Sequence, residues 1–182
     1  MSDLDRFHAQ EGLVFGFVPA QVVADLKDIG NWKVRACAID ALHRTLLNAK
    51  GKGDVARNLP ELLDFLMALV GDPNFKISLS SMQIIGDLVA KVGRELSPFL
   101  GGLVPKLIEK LGDNKIMVRQ AGIQVLRKLM AALGPMPVLD MLAQGRRHGS
   151  WRVREEVAIM HIMVRGETMK SNKIVDLHEF IT

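Results

Sequence analysis

Apolar stripes of helical spacing alternate along the chain with short polar breaks. From Leu103, apolar side chains recur through Val104, Leu107, Ile108 and Leu111 at three- and four-residue steps, which puts them on one face of a helix. Gly112-Asp113 ends that stripe, and a second opens at Val118 and continues through Ile123, Val125, Leu126, Leu129, Met130 and Leu133. The pattern predicts two antiparallel helices joined by a tight turn. The same pattern recurs upstream. Val22, Val23 and Leu26 lead through Asp28-Ile29-Gly30-Asn31 to a helix that opens at Trp32 and carries Val34, Ile39, Leu42 and Leu46 inward. A loop over residues 49–54 follows. Leu59, Leu62, Leu63, Leu66 and Leu69 then lead through Gly71-Asp72-Pro73 to Ile77, Ile84, Ile85, Leu88 and Val92. The third pair is expected to start with Ser97 as N-cap and Pro98 in the first position, with a kink at Pro105. A fourth begins at Pro135 or Pro137, turns through Gly145 to Ser150, and carries Val153, Val157, Met160 and Val164. A last helix is expected from about Ser171.

Aligning the turns exposes a repeat. Asn31-Trp32-Lys33-Val34-Arg35, Asn74-Phe75-Lys76-Ile77-Ser78, Lys115-Ile116-Met117-Val118-Arg119 and Ser150-Trp151-Arg152-Val153-Arg154 stand in register. A period of about 40 residues marks two-helix repeats of the HEAT or armadillo kind. One such pair cannot bury its apolar face alone, so neighbours stack and turns of one type line up along one edge. The expected fold is an all-α, right-handed HEAT-like α-solenoid of antiparallel helix pairs, with no strand pairing. Residues 1–18 are expected to form a leader packed on the first repeat. Residues 19–182 are expected to hold four pairs and the first helix of a truncated fifth.

Composition agrees with stacked helices. The chain has 182 residues, 48% of them hydrophobic but only 5% aromatic, so its core is aliphatic. Net charge is +4, a mild bias toward acidic partners. Cys37 is the one cysteine, so no intrachain disulfide forms, and its position beside a core residue predicts a small buried hydrophobe. The sequence shows no apolar run of membrane-spanning length and no signal-peptide pattern.

The turn columns divide by chemistry. Asn31, Asn74 and Ser150 suit N-capping. The Arg35, Arg119 and Arg154 column suits hydrogen bonds to turn carboxylates such as Asp28, Asp72 and Asp113. Lys33, Lys76, Lys115 and Arg152 do not fit a structural role. They sit in the first turns of helices, where the macrodipole favours anions. Four such cations on one edge imply a negative charge supplied from outside. Trp32 and Trp151 share one turn position; each is either a staple on its own repeat or, if exposed, an interface anchor.

These turns resemble those of TOG domains, the tubulin-binding HEAT arrays of the CLASP, crescerin and related families, and the CLASP/crescerin type most. DIGNWKVRACAIDAL is similar to the first TOG turn with its tryptophan, DPNFKISLSSMQII to the second, LGDNKIMVRQAGIQVL to the third with its lysine, and HGSWRVREEVAIMH to the fourth. The likeness covers about residues 19–165, four of the six repeats of a full domain. It implies that the partner is αβ-tubulin or microtubules. Trp32 and Lys33 would meet β-tubulin, Phe75 and Lys76 would extend that contact, and Lys115 and Arg152 would continue toward α-tubulin. Trp151 and Arg119 complete the candidate contact set. The resemblance further implies a cytoplasmic, cytoskeletal protein, ciliary or axonemal if the crescerin likeness holds, and monomeric as an isolated domain. The family's fifth turn is missing, and Trp151 is bulkier than the usual fourth-turn residue.

Enzyme chemistry finds no support. Gly51-Lys52-Gly53 lacks phosphate-loop spacing, and the five histidines form no metal-ligand pattern, so no cofactor or metal is expected. Neither nucleic acid nor membrane is an expected partner. The rival reading is a HEAT-repeat adaptor that grips an acidic protein or peptide other than tubulin.

Overall fold

The computed structural model describes residues 12–49 and 51–179. Two short strands, β1 (Leu13–Val14) and β2 (Val18–Pro19), pair antiparallel. Helices follow: α1 (Ala20–Lys27), α2 (Trp32–Asn48), α3 (Lys52–Arg57), α4 (Leu59–Val70) and α5 (Phe75–Val92). A 3-10 segment at Gly93–Phe99 leads into α6 (Leu100–Leu111) and α7 (Ile116–Leu133). Then α8 (Pro135–Leu142), a second 3-10 segment (Ala143–Arg147) and α9 (Trp151–Glu179) complete the described chain. The pairs α1/α2, α4/α5, α6/α7 and α8/α9 are the four repeats expected from the apolar stripes, in a HEAT-like helical solenoid.

The stripes become the core. Leu42, Leu63, Leu66, Ile85, Leu88, Leu107, Leu126 and Leu129 are completely buried. The second helices α2, α5 and α7 stack side by side, with α5 in the middle. Three links tie them together. At their N-terminal ends, Arg35 of α2 pairs with Asp72 in the next repeat's turn and donates Nε to the Leu26 carbonyl at 2.9 Å. Midway, Asp87 of α5 accepts from His43 of α2 at 2.8 Å and from Lys128 of α7 at 3.0 Å. At the far end, Lys91 donates to the Leu46 and Leu47 carbonyls at 2.8 and 3.2 Å, in the last turn of α2, where Leu46 also accepts from Ala49 N at 3.3 Å.

The structure corrects several expectations. The leader does pair strands, over two residues each, and Phe15 reaches past the first repeat to Phe65 of α4, ring centroids 5.6 Å apart. The part of the leader before residue 12 lies outside the described residues. The loop after α2 contains α3. Ser97 and Pro98 lie in the 3-10 segment, and α6 starts only at Leu100. Pro105 sits inside α6, which runs unbroken. No helix opens at Ser171, because α9 is continuous through it. Cys37 is exposed: it lies on the solvent side of α2, between core residues Ile39 and Leu42 and the start of the helix.

The fourth repeat sits differently. α9 packs on the second 3-10 segment and on α6 rather than lying flush against α7. A cleft of about 370 Å³ between α7 and α9 is lined by Met130, Met160 and Met163.

Candidate protein-interaction edge

Each turn is built by one side chain that takes the N–H two residues on. Asp28 accepts from Gly30 N at 3.1 Å, Asp72 from Asn74 N at 2.8 Å, and Asp113 from Lys115 N at 2.8 Å. Such Asx turns impose one shape on three different sequences. In the fourth turn His148 takes the same part, its Nδ1 accepting from Ser150 N at 3.1 Å. That bond leaves Nε2 as the ring's protonated nitrogen in the neutral form, and it faces both Glu109 carboxylate oxygens at 3.3 Å. Asn31 and Asn74 then cap their helices, accepting from Val34 N and Lys76 N. Lys115 makes no side-chain cap.

The arginine column serves the turns, with partners that change along the chain. Arg35 is 4% exposed and holds the carboxylate of Asp72. Arg119 instead donates to the carbonyls of Asp113 and Asn114 at 2.8 and 3.3 Å, and Arg154 to those of His148 and Gly149 at 2.7 and 3.0 Å. Arg119 is therefore engaged by its own turn, unlike the other candidate contacts.

Those other candidates line one edge. Trp32 is 55% exposed and Trp151 58%, so neither is a buried staple. Lys33 Nζ lies 5.8 Å from the Trp32 ring centre, and the Arg152 guanidinium 5.4 Å from that of Trp151. Phe75 is half-buried against the core, and Lys115 of the next repeat places Nζ 4.5 Å above its ring. Arg152 reaches back to Asn114 of the preceding turn, Nη1 to Oδ1 at 3.3 Å. Contacts between turns two and three, and between three and four, join the edge into one surface. Lys33, Lys76 and Lys115 are exposed. Among the described residues none of these lysines, nor Arg152, pairs with a carboxylate. Lys33, Lys115 and Arg152 set their charges beside aromatic rings.

Sequence reasoning missed three apolar members of this edge. Ile29, Ile116 and Met117 are all exposed, Ile29 to 81%. The signal was present: each falls outside the register of the core stripes, in or beside a polar turn. Among the described residues there is no cluster of three or more metal-ligating side chains, and no helix is long and apolar enough to cross a membrane.

A stacked array of helix pairs with an exposed aromatic and cationic edge defines a HEAT-type interaction module. Within that class the chain is a TOG domain, of the crescerin and CLIP-associated protein kind. It is 30% identical over 149 residues to the TOG array regulator of axonemal microtubules protein 1 of Homo sapiens, a match covering 82% of this chain and 9% of that protein. It is 35% identical over 127 residues to a CLIP-associated protein of Arabidopsis thaliana, covering 69% of this chain and 9% of that protein. A solved TOG domain of crescerin, a protein described as regulating microtubules in the primary cilium, superposes with a TM-score of 0.71 at 30% identity over 81% of this chain and 60% of that one. The MAST/Orbit N-terminal domain, 22% identical with a TM-score of 0.67 over 80% of this chain and 65% of that one, supports the fold. No protein-family model matches the chain. The chain thus spans under a tenth of these curated relatives' length.

Proposed function

We propose that this domain binds αβ-tubulin through its turn edge and helps regulate microtubule dynamics. The observation that carries this reading is the row of exposed Trp32 and Trp151 with unpaired cations at the helix starts. Trp32 and Lys33 begin the contact. Phe75, Lys76 and Lys115 continue it, and Trp151 and Arg152 end it. Ile29, Ile116 and Met117 add apolar surface, and Arg119 acts by holding the third turn. The domain works by binding rather than catalysis, needs no cofactor, and acts as a monomer in the cytoplasmic cytoskeleton. The names of its relatives extend the reading to cilia and axonemes.

A titration of αβ-tubulin with wild type and Trp32→Ala tests it. Loss of an exposed anchor is expected to weaken binding by about 2 kcal/mol or more while the melting temperature stays unchanged. Wild-type affinity in the variant would count against the assignment.

A further inference from the structure

A second surface adjoins the turn edge and shares only Met117 with it. A groove of about 900 Å³ runs over α5, between His43 of α2 and the exposed flank of α7. Its α7 wall is formed by Met117, Gln120, Gln124 and Lys128, one stripe along the helix. Four helical residues advance about 6 Å. Alternate residues of an extended chain are about 6.6 Å apart. Gln120, Gln124 and Lys128 therefore offer polar groups at nearly the repeat of a strand lying along α7. Gln83 of α5 adds a further amide from the floor, and Leu79 and Ala121 add apolar surface. Each glutamine amide presents both donors and an acceptor, the complement of a peptide group. Gln83, Gln120 and Gln124 are exposed, and among the described residues their side chains make no hydrogen bond.

Charge selects the occupant. The groove is lined by Lys128 and by Arg127, whose guanidinium reaches Met163 of α9, against the single carboxylate of Asp87. Lys128 spends one donor on Asp87, and its side chain remains 44% exposed. Its stem crosses Gly86, where an added Cβ would lie 3.3 Å from Cδ. The absence of a side chain at Gly86 lets the ammonium sit at the groove's end. Among the described residues no Phe, Tyr or Trp lines the groove, and the one ring there, His43, is held by Asp87, so it lacks the row of stacking platforms that single-stranded nucleic acid needs.

We propose that this groove binds an extended acidic peptide, its main chain held by Gln83, Gln120 and Gln124 and a carboxylate received by Lys128. The site is separate from Trp32 and does not depend on the tubulin reading. The probe is a blocked octapeptide of alternating Glu and Val, titrated into ¹⁵N-labelled protein while the glutamine side-chain amides are observed. A Lys–Val octapeptide and an eight-base oligothymidine serve as controls. The expected result is saturable shifts at Gln83, Gln120 and Gln124 with the Glu–Val peptide only. Gln120→Ala with Gln124→Ala should weaken this binding about tenfold, since each lost amide contact is worth about a factor of three or more. Both residues are exposed, so the melting temperature should not move. Trp32→Ala should bind the peptide as wild type does. Shifts confined to the turn edge, no saturable shift, equal binding of the Lys–Val peptide, or a response to oligothymidine alone would overturn the proposal.

Discussion

Lys115 shows most plainly how one side chain can be placed against its local preference. It occupies the capping position where Asn31 and Asn74 hold their helices, yet it caps nothing and sets a cation at a helix start. The third turn survives because Asp113 takes the Lys115 N–H, and the ammonium settles over Phe75. Lys115→Asn exchanges a cation–π contact of about 0.5–1 kcal/mol for a cap of about 1 kcal/mol and relief of the dipole clash. The melting temperature is expected to hold or rise slightly. Tubulin affinity and its salt sensitivity should both fall, because one charge of the proposed interface is gone. Thermal melts and titrations at two salt concentrations check both halves. Asp87 gives a second prediction at this scale. Burial pushes its carboxyl up, but hydrogen bonds from His43 and Lys128, and their charge, outweigh burial and hold it below the ordinary 3.8. A folded value below the unfolded one means that the stabilisation is present above 3.8 and is lost as pH falls through the folded value. Asp87→Asn should therefore flatten the acid limb of a urea-midpoint profile below about pH 4. Capping by Asn31 and Asn74 and the exposed cations were legible in the sequence, since both follow from local chemistry. The partners of Arg119 and Arg154 were not. Nearby aspartates suggested carboxylates, but Arg35 takes its carboxylate from the next repeat's turn, and the repeat after Arg119 has His148 where Asp72 stands, so Arg119 and Arg154 bond carbonyls of their own turns.

Among elements, α2 and α9 show what stacking adds to periodicity. The first turn of α2 is fixed by Arg35, buried between the Leu26 carbonyl and Asp72 of the next repeat. Arg35→Ala strands that carboxylate in a buried site and is expected to cost about 3–5 kcal/mol. Urea denaturation should show a far smaller loss for Arg154→Ala, whose side chain is exposed and whose partners are backbone carbonyls that water can also serve. Where α9 crosses the second 3-10 segment, a Cβ on Gly145 would meet Val157 at 2.8 Å. Gly145→Ala should then destabilise by about 1–3 kcal/mol through overpacking. The apolar stripes located all four pairs, because core-facing periodicity is a local signal. They missed the β1–β2 hairpin, which is too short to show alternation, and they broke α9 near Ser171, where no proline or glycine actually interrupts it.

At the scale of the whole molecule, the edge exists only because the repeats stack. Trp32, Phe75, Lys115 and Trp151 are distant in sequence, yet the repeat spacing brings their turns to one side. The repeat alignment made that convergence legible. It did not reveal the splay of α9 from α7 or the groove over α5, because both depend on how far helices sit apart rather than on which face is apolar. The chain contains only two tryptophans, and both lie exposed on this edge. Replacing them with 5-fluorotryptophan gives a fluorine spectrum of two signals, assigned with Trp32→Phe, that reports on the edge and nothing else. When αβ-tubulin is added under conditions where sedimentation shows a complex, both signals are expected to shift or broaden and to lose relaxation by a soluble paramagnet. A complex that leaves both signals in place and fully accessible to the paramagnet would contradict the account.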